Sequence, residues 1–341
     1  MERICASAED DRVTRLSILE EIHRAVPFES YAWLLTDPET SVGTAPLADV
    51  PCLPELPELI RLKYLCGHNR WTRLSGLGLT HVPRSAHDVS SEPSQWSSFL
   101  MRYGVSDVAS VVFRDRHGTW GWLDLWRSVP DSGFGDSEAA LLIDLLRPVT
   151  AALRRCQANT FGLHSSDTED RPGPVVLLLS SDLRVVSLTP QAHDYLRLLV
   201  PPAHDQAPIP AIAYNVAAQL LAVEADVDDN PPTARMHLAA STWVTARATR
   251  LDGTGPDDQR DIVVTIEQSS PAERVGVFAR GFGLSPREGE LIRHLLTGID
   301  TREIARRMFV SEHTVQDYLK AIFAKTSARN RRTVLSRALG T

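Results

Sequence analysis

The stretch GLSPREGELIRHLLTGIDTREIARRMFVSEHTVQDYLKAIFAKTSARNRRTVLSRALG, residues 283–340, decides the architecture of the C-terminal part of this chain. Ser285-Pro286-Arg287-Glu288 reads as a capping box with Pro in the first helical turn, so a helix starts there. Leu291, Ile292 and Leu295 form its apolar stripe, and Gly298 ends it. Asp300 or Thr301 caps a second helix, whose inner face is Ile304, Ala305 and Met308. Phe309-Val310 is a short turn before Ser311, a third N-cap. Val315, Leu319 and Ile322 follow at i, i+4 and i+7 and must face inward. His313, Gln316, Asp317 and Lys320 are then left pointing outward. A fourth helix, 330–339, carries Val334, Leu335 and Ala338 on one face.

Two short helices joined by a tight turn make a helix-turn-helix. Such a helix fits the major groove of DNA, where its first turns reach base edges. On the outward face, Gln316 can pair with adenine, and Lys320 can reach guanine or a phosphate. Asp317 can accept from cytosine N4 or exclude bases by repulsion, and His313 shares the same face. Ser311, Thr314, Lys325, Arg329, Arg331 and Arg332 have the donors for phosphate contacts, which fix register.

The segment resembles the LuxR-type (GerE-like) helix-turn-helix domain of bacterial transcription regulators. The matching residues are Leu284-Ser285-Pro286-Arg287-Glu288, Gly298, Glu303-Ile304-Ala305, Val310-Ser311, Thr314-Val315, Leu319, Ile322-Phe323, Lys325 and Arg329-Asn330-Arg331. The resemblance implies that the third helix enters the major groove, where Gln316, Asp317 and Lys320 fall at base-contacting positions. It also implies that the fourth helix pairs two protomers through Val334, Leu335 and Ala338. Two departures stand out. Gln316 replaces a Lys that is common there, and Thr326-Ser327-Ala328 replaces the usual Leu-Gly-Val.

The charge distribution agrees. The whole chain of 341 residues has a formal net charge of −7, which by itself argues against nucleic acid. Residues 272–341, however, hold 13 Lys+Arg against 7 Asp+Glu, a net of +6, and residues 1–271 carry −13. A basic tail on an acidic body is the asymmetry of a nucleic-acid reader with a separate regulatory part.

Upstream, the pattern predicts an α+β unit over 1–160. It has helices at 11–25, 57–65, 92–103 and 136–157, and strands at 31–35, 107–113 and 119–127. Residues 36–57, with five prolines, read as loop. Residues 164–174 read as a linker. A second α+β unit spans 172–268, with strands at 175–179, 184–187, 235–251 and 262–267, helices at 190–199 and 212–223, and a turn at 253–259. Residues 268–272 read as a second linker, leading to the helix-turn-helix domain at 275–341. The fold class is therefore α+β multidomain, ending in an all-α domain of four helices. The strand Trp120-Gly121-Trp122-Leu123-Asp124-Leu125 with the helix after it resembles GAF-like sensor domains. Val175-Val176-Leu177-Leu178, Val185-Val186-Ser187 and Pro190-Gln191-Ala192 resemble PAS-like ones.

Strict alternation places Trp120, Trp122, Asp124 and Trp126 on one face of their strand. That face either lines a small-molecule pocket or packs as core or dimer interface, and packing is the simpler reading. No metal, cofactor or catalytic constellation is expected. Cys66, His68, His81 and His87 match no zinc spacing. Asp226, Asp228 and Asn230 start like a calcium loop, but Pro231 stands where Gly is needed. There is no P-loop and no G-x-S-x-G. The start MERICASAEDD lacks a signal-peptide core, and no apolar run approaches the ~18 residues that span a bilayer. The expectation is a cytoplasmic homodimeric regulator of double-stranded DNA transcription, not an enzyme, with RNA polymerase and a small-molecule signal as further partners. The alternative is a metabolite-binding or protein-interaction adaptor whose helical tail docks a protein.

Overall fold

The hairpin expected at 107–127 lies inside a five-stranded antiparallel sheet of order β2-β1-β5-β4-β3. Its strands are β1 (Ser30–Thr36), β2 (Gly43–Asp49), β3 (Leu77–His81), β4 (Asp107–Asp115) and β5 (Gly118–Arg127). The computed structural model describes all residues except 68, 83–93, 129–132, 163–173, 194–195, 197–209, 239–241, 252–259 and 341. Helices α1 (Glu2–Ala6), α2 (Asp11–Ala25) and α5 (Asp136–Asn159) cover one face of the sheet, over Trp33, Phe113, Leu123 and Leu125. Helices α3 (Leu56–Leu65) and α4 (Gln95–Arg102) cover the other, over Trp122 and Trp126.

Two expectations are corrected here. Residues 36–57 are not all loop, since β2 forms within them. Pro46 is tolerated because β2 is an edge strand paired only with β1. Nor do the four β5 residues share a face. The register of β4 with β5 shifts between Phe113 and Arg114, so that Phe113 opposes Gly121 and Arg114 opposes Thr119. The extra residue, Trp120, turns to the α5 side with Leu123 and Leu125. Trp122 and Trp126 keep the α3 side.

A second antiparallel sheet has the order β7-β6-β10-β9-β8. It comprises β6 (Val175–Leu179), β7 (Val185–Leu188), β8 (Thr233–His237), β9 (Trp243–Arg250) and β10 (Ile262–Gln268), with helix α6 (Ala211–Glu224). The strand expected over 235–251 is broken in two, with the Leu238 amide donating to the Thr242 carbonyl at 2.7 Å between the halves. Most of the linker at 164–174, half of the helix at 190–199 and the turn at 253–259 lie outside the described residues.

Helix α6 is apolar nearly all round because it is buried on all sides, touching β9 of its own sheet and α3 and β2 of the first. The buried side chains of the two units therefore form one continuous core. Ion pairs seal the junction. The Arg235 guanidinium donates to both Asp37 oxygens, Nε to Oδ2 at 2.6 Å and Nη2 to Oδ1 at 2.8 Å, and also reaches Glu39 at 2.8 Å. Asp228, with no side-chain exposure, accepts from the Thr72 hydroxyl and lies 3.5 Å from Arg70.

The rest of the chain is helical: α7 (Pro271–Gly281), α8 (Pro286–Leu296), α9 (Thr301–Arg307), α10 (Glu312–Thr326) and α11 (Arg331–Leu339). The four expected helices are preceded by a fifth, α7, which begins inside the linker expected at 268–272. Its start carries the same chemistry as α8, a Ser-Pro-x-Glu capping box of Ser270 and Glu273. Val275, Val277 and Phe278 of α7 pack with Phe161 and Trp243, whose rings stack at 4.9 Å. The tail is thus seated on both sheet units. Arg274, buried in that seat, donates to the Ala338 carbonyl of α11 at 3.1 Å, and burial lowers its pKa to about 10.

Candidate nucleic-acid interface

The helix-turn-helix is built by its caps. Asp300 accepts from the Glu303 amide at 2.8 Å and starts α9. Ser311 accepts from the Thr314 amide at 3.1 Å and starts α10. Between them Phe309 takes a left-handed backbone, φ 56°, and leaves its ring 94% exposed. That combination is uncommon for an aromatic residue, and sequence alone gave no sign of it. Ile304, Ala305 and Met308 meet Val315, Leu319 and Ile322 in the core, all buried.

Their burial turns the opposite side of α10 to solvent, where His313, Gln316, Asp317 and Lys320 are all exposed. Asp317 sits among the others, 3.3 Å from Lys320 Nζ and 3.5 Å from His313 Nε2. This face of α10 therefore carries its own ion pair.

The other predicted contact residues are placed unequally. Arg329 and Arg332 are exposed and in no ion pair among the described residues. The Ser311 and Thr314 hydroxyls lie 2.9 Å apart, and Ser311 is already engaged as a cap. Lys325 reaches back to Glu288 at 2.7 Å. Burial would raise that carboxyl, but Lys325 and Ser285 hold it below its ordinary value. Arg331 is half-buried and donates to the Thr301 hydroxyl at 2.7 Å, tying α11 to α9. Val334 and Ala338 are fully buried in the domain's own core, and Leu335 is half-buried. Arg302, Arg306 and Arg307 of α9 are exposed cations that the sequence reading did not single out. Arg306 and Arg307 both bind Glu303 and hold its carboxyl down to about 2.

The residues read as a pocket wall form a closed aromatic core. Trp122 stacks on Trp71 at 3.7 Å. Asp124, with no exposure, accepts from Trp71 Nε1 at 2.8 Å and lies 3.0 Å from Lys63 Nζ. The Lys63 ammonium sits 4.8 Å from the centre of the Trp71 ring and 5.0 Å from that of Trp96, and donates to Ser110 Oγ at 3.0 Å. Trp126 packs edge-on against Trp96, and Trp120 lies across the sheet with its Nε1 on Asp115 at 3.0 Å.

Residues 283–338 match the family model described as bacterial regulatory proteins, luxR family. The C-terminal helices are therefore a LuxR-type helix-turn-helix domain. The chain is also homologous to transcription regulators. It is 34% identical over 95 residues to a "Probable HTH-type transcriptional regulator GfsR" of Streptomyces halstedii, covering 28% of this chain and 39% of that protein. It is 41% identical over 54 residues to a protein of Mycobacterium bovis also named as an HTH-type transcriptional regulator, covering 16% of this chain and 6% of the relative. The match thus spans about two fifths of the first relative and a small part of the second. A solved structure, the sensor region of a sensor histidine kinase, aligns over 70% of this chain and 84% of its own, at 13% identity and a TM-score of 0.20. A likeness that low carries no statement about a shared fold. Among the described residues no helix is long and apolar enough to cross a membrane.

Proposed function

We propose that this chain is a sequence-specific, DNA-binding transcription regulator. It acts in the cytoplasm as a homodimer and has no catalytic activity of its own. The observation that supports this reading most is the solvent-facing side of α10, with Gln316, Asp317 and Lys320 on the third helix of a LuxR-type domain whose inner face is fully packed. Gln316 pairs with adenine, Lys320 with guanine or phosphate, and Asp317 with cytosine N4. Arg329 and Arg332 fix the register on phosphates.

Val334 and Ala338 are taken up inside the domain, so pairing of two copies along α11 uses its outer side, starting from Leu335. The two sheet units, GAF-like and PAS-like, sense the signal, and RNA polymerase is the partner downstream. The Trp122–Asp124 face belongs to the core of the first unit and not to the signal site.

Selection of bound duplexes from a random pool tests the reading. An enriched two-half-site motif is expected, with log K falling against log salt by about 0.9 per neutralised phosphate. Gln316→Ala should relax one base position by ~1–3 kcal/mol. A flat salt response with no enriched motif rejects the reading.

A further inference from the structure

Three arginines converge where the two sheet units meet α7. Arg114 is the penultimate residue of β4, Arg116 lies in the β4–β5 turn, and Arg280 is in the last turn of α7. They line a cleft of about 460 Å³, within the range of small-molecule sites. Their hydrogen bonds go to neutral acceptors. Arg114 Nε donates to the Thr119 hydroxyl at 2.8 Å, and its Nη2 to the Thr72 carbonyl at 3.1 Å. Arg116 Nε donates to His117 Nε2 at 3.0 Å, and Arg280 Nη1 to the His117 carbonyl at 2.8 Å. Among the described residues none of the three has a carboxylate partner.

The acids around the cleft are engaged elsewhere. Glu39 pairs with Arg235 at 2.8 Å, Asp115 with Arg154 at 2.6 Å, and Asp229 lies 3.6 Å from Arg73. Most other cations of the sheet units are paired, as with Arg247 to Glu267 and Arg250 to Glu224. The three arginines therefore leave a local excess of positive charge. His117 lies beside the cleft: burial pushes its pKa down, and Arg154, Arg116 and Lys325 push it further, against Asp115.

We propose that this cleft binds a small phosphate-bearing metabolite, whose phosphoryl oxygens accept from Arg114, Arg116 and Arg280. The guanidinium fork matches phosphate oxygens in pairs, and each of the three retains unused N–H donors. A small dianion suits the site better than a nucleic-acid backbone, because Glu39 and Asp229 on its rim oppose an extended polyanion. An occupant would touch the first sheet unit and α7 together, so its binding would bias how the helical tail is held. The proposal stands independently of which DNA the tail reads.

Calorimetric titration of the full chain with pyrophosphate, at constant ionic strength, tests it. One saturable site is expected, weakened roughly tenfold or more by Arg116→Gln and by Arg280→Gln and unchanged by Arg12→Gln, an exposed side chain on α2. Arg116 is exposed, so its substitution leaves the fold intact, and circular dichroism checks this. No saturation up to about 10 mM, or equal binding by Arg116→Gln, overturns the proposal. It is equally overturned if Arg116→Gln and Arg280→Gln each reduce the salt slope of duplex binding by about one, since the arginines would then serve the DNA backbone.

Discussion

The ammonium of Lys63 and the carboxylate of Asp124 lie 3.0 Å apart, with 1% and 0% of their side chains exposed. They come from α3 and β5, and the rings of Trp71 and Trp96 enclose the ammonium. Removing one partner leaves the other charged and buried, which costs far more than the pair contributes. Lys63→Met should lower the unfolding free energy by about 3–5 kcal/mol in urea titration. The double variant Lys63→Met, Asp124→Leu should recover most of that loss. If the double variant is as unstable as the single, the uncompensated-charge explanation is wrong.

Ser327 closes α10 in the left-handed region at φ 51°. A side chain there is strained by about 1 kcal/mol, and glycine is not. Ser327→Gly should therefore raise stability by ~0.5–1 kcal/mol without altering the α10 surface. A destabilised variant would show that the serine makes a compensating contact.

His237 is kept neutral. Burial first, and then the charge of Arg274, lower its pKa from 6.5 to about 4. The unfolded chain takes up this proton near 6.5, so the contribution is complete above that pH and is lost as pH falls towards 4. The loss is on the order of 2 kcal/mol. Urea midpoints at pH 7 and pH 5 should show it, and His237→Phe should flatten the difference. An identical decline in the variant would assign the acid sensitivity elsewhere.

Asp317 sits on the reading face with Lys320 at 3.3 Å. It repels phosphate and restrains the lysine. Asp317→Asn should tighten binding to random-sequence duplex more than to the selected site, and so lower the ratio between them. An unchanged ratio, measured at fixed salt, would place Asp317 outside the groove.

All four cysteines are buried. Burial pushes the Cys52 thiol up to about 12 and the Cys156 thiol up to about 11. None should react with a thiol reagent at pH 8 before the chain unfolds. Fast labelling of one equivalent in the native protein would contradict this.

The helical tail was legible because its signals are local. Caps at Ser285, Asp300 and Ser311 sit three residues from the amides they bind. Helix α7 carries the same local signal, since Ser270-Pro271-Ala272-Glu273 repeats that of α8. The alternation rule failed at Trp120 because a bulge adds one residue to β5. Other features had no local sign. Lys63 and Asp124 are 61 residues apart in the chain, and Arg235 and Asp37 are 198 apart. Asn215 and Gln219 are polar, yet both are fully buried on α6 between the sheets.

The Arg235–Asp37 pair limits how such a chain can evolve. Regulators of this general construction can be imagined as interchangeable modules joined by linkers. Here a transplanted first unit would leave Arg235 and Asp228 without their junction partners, and would strip α6 of the wall it is buried against. Recombination within residues 1–268 is therefore penalised, and the two sheets should be inherited together. A crossover near residue 282, between α7 and α8, cuts no ion pair among the described residues, though it parts Arg274 from the Ala338 carbonyl, and is the more permissive place for a new DNA-reading head.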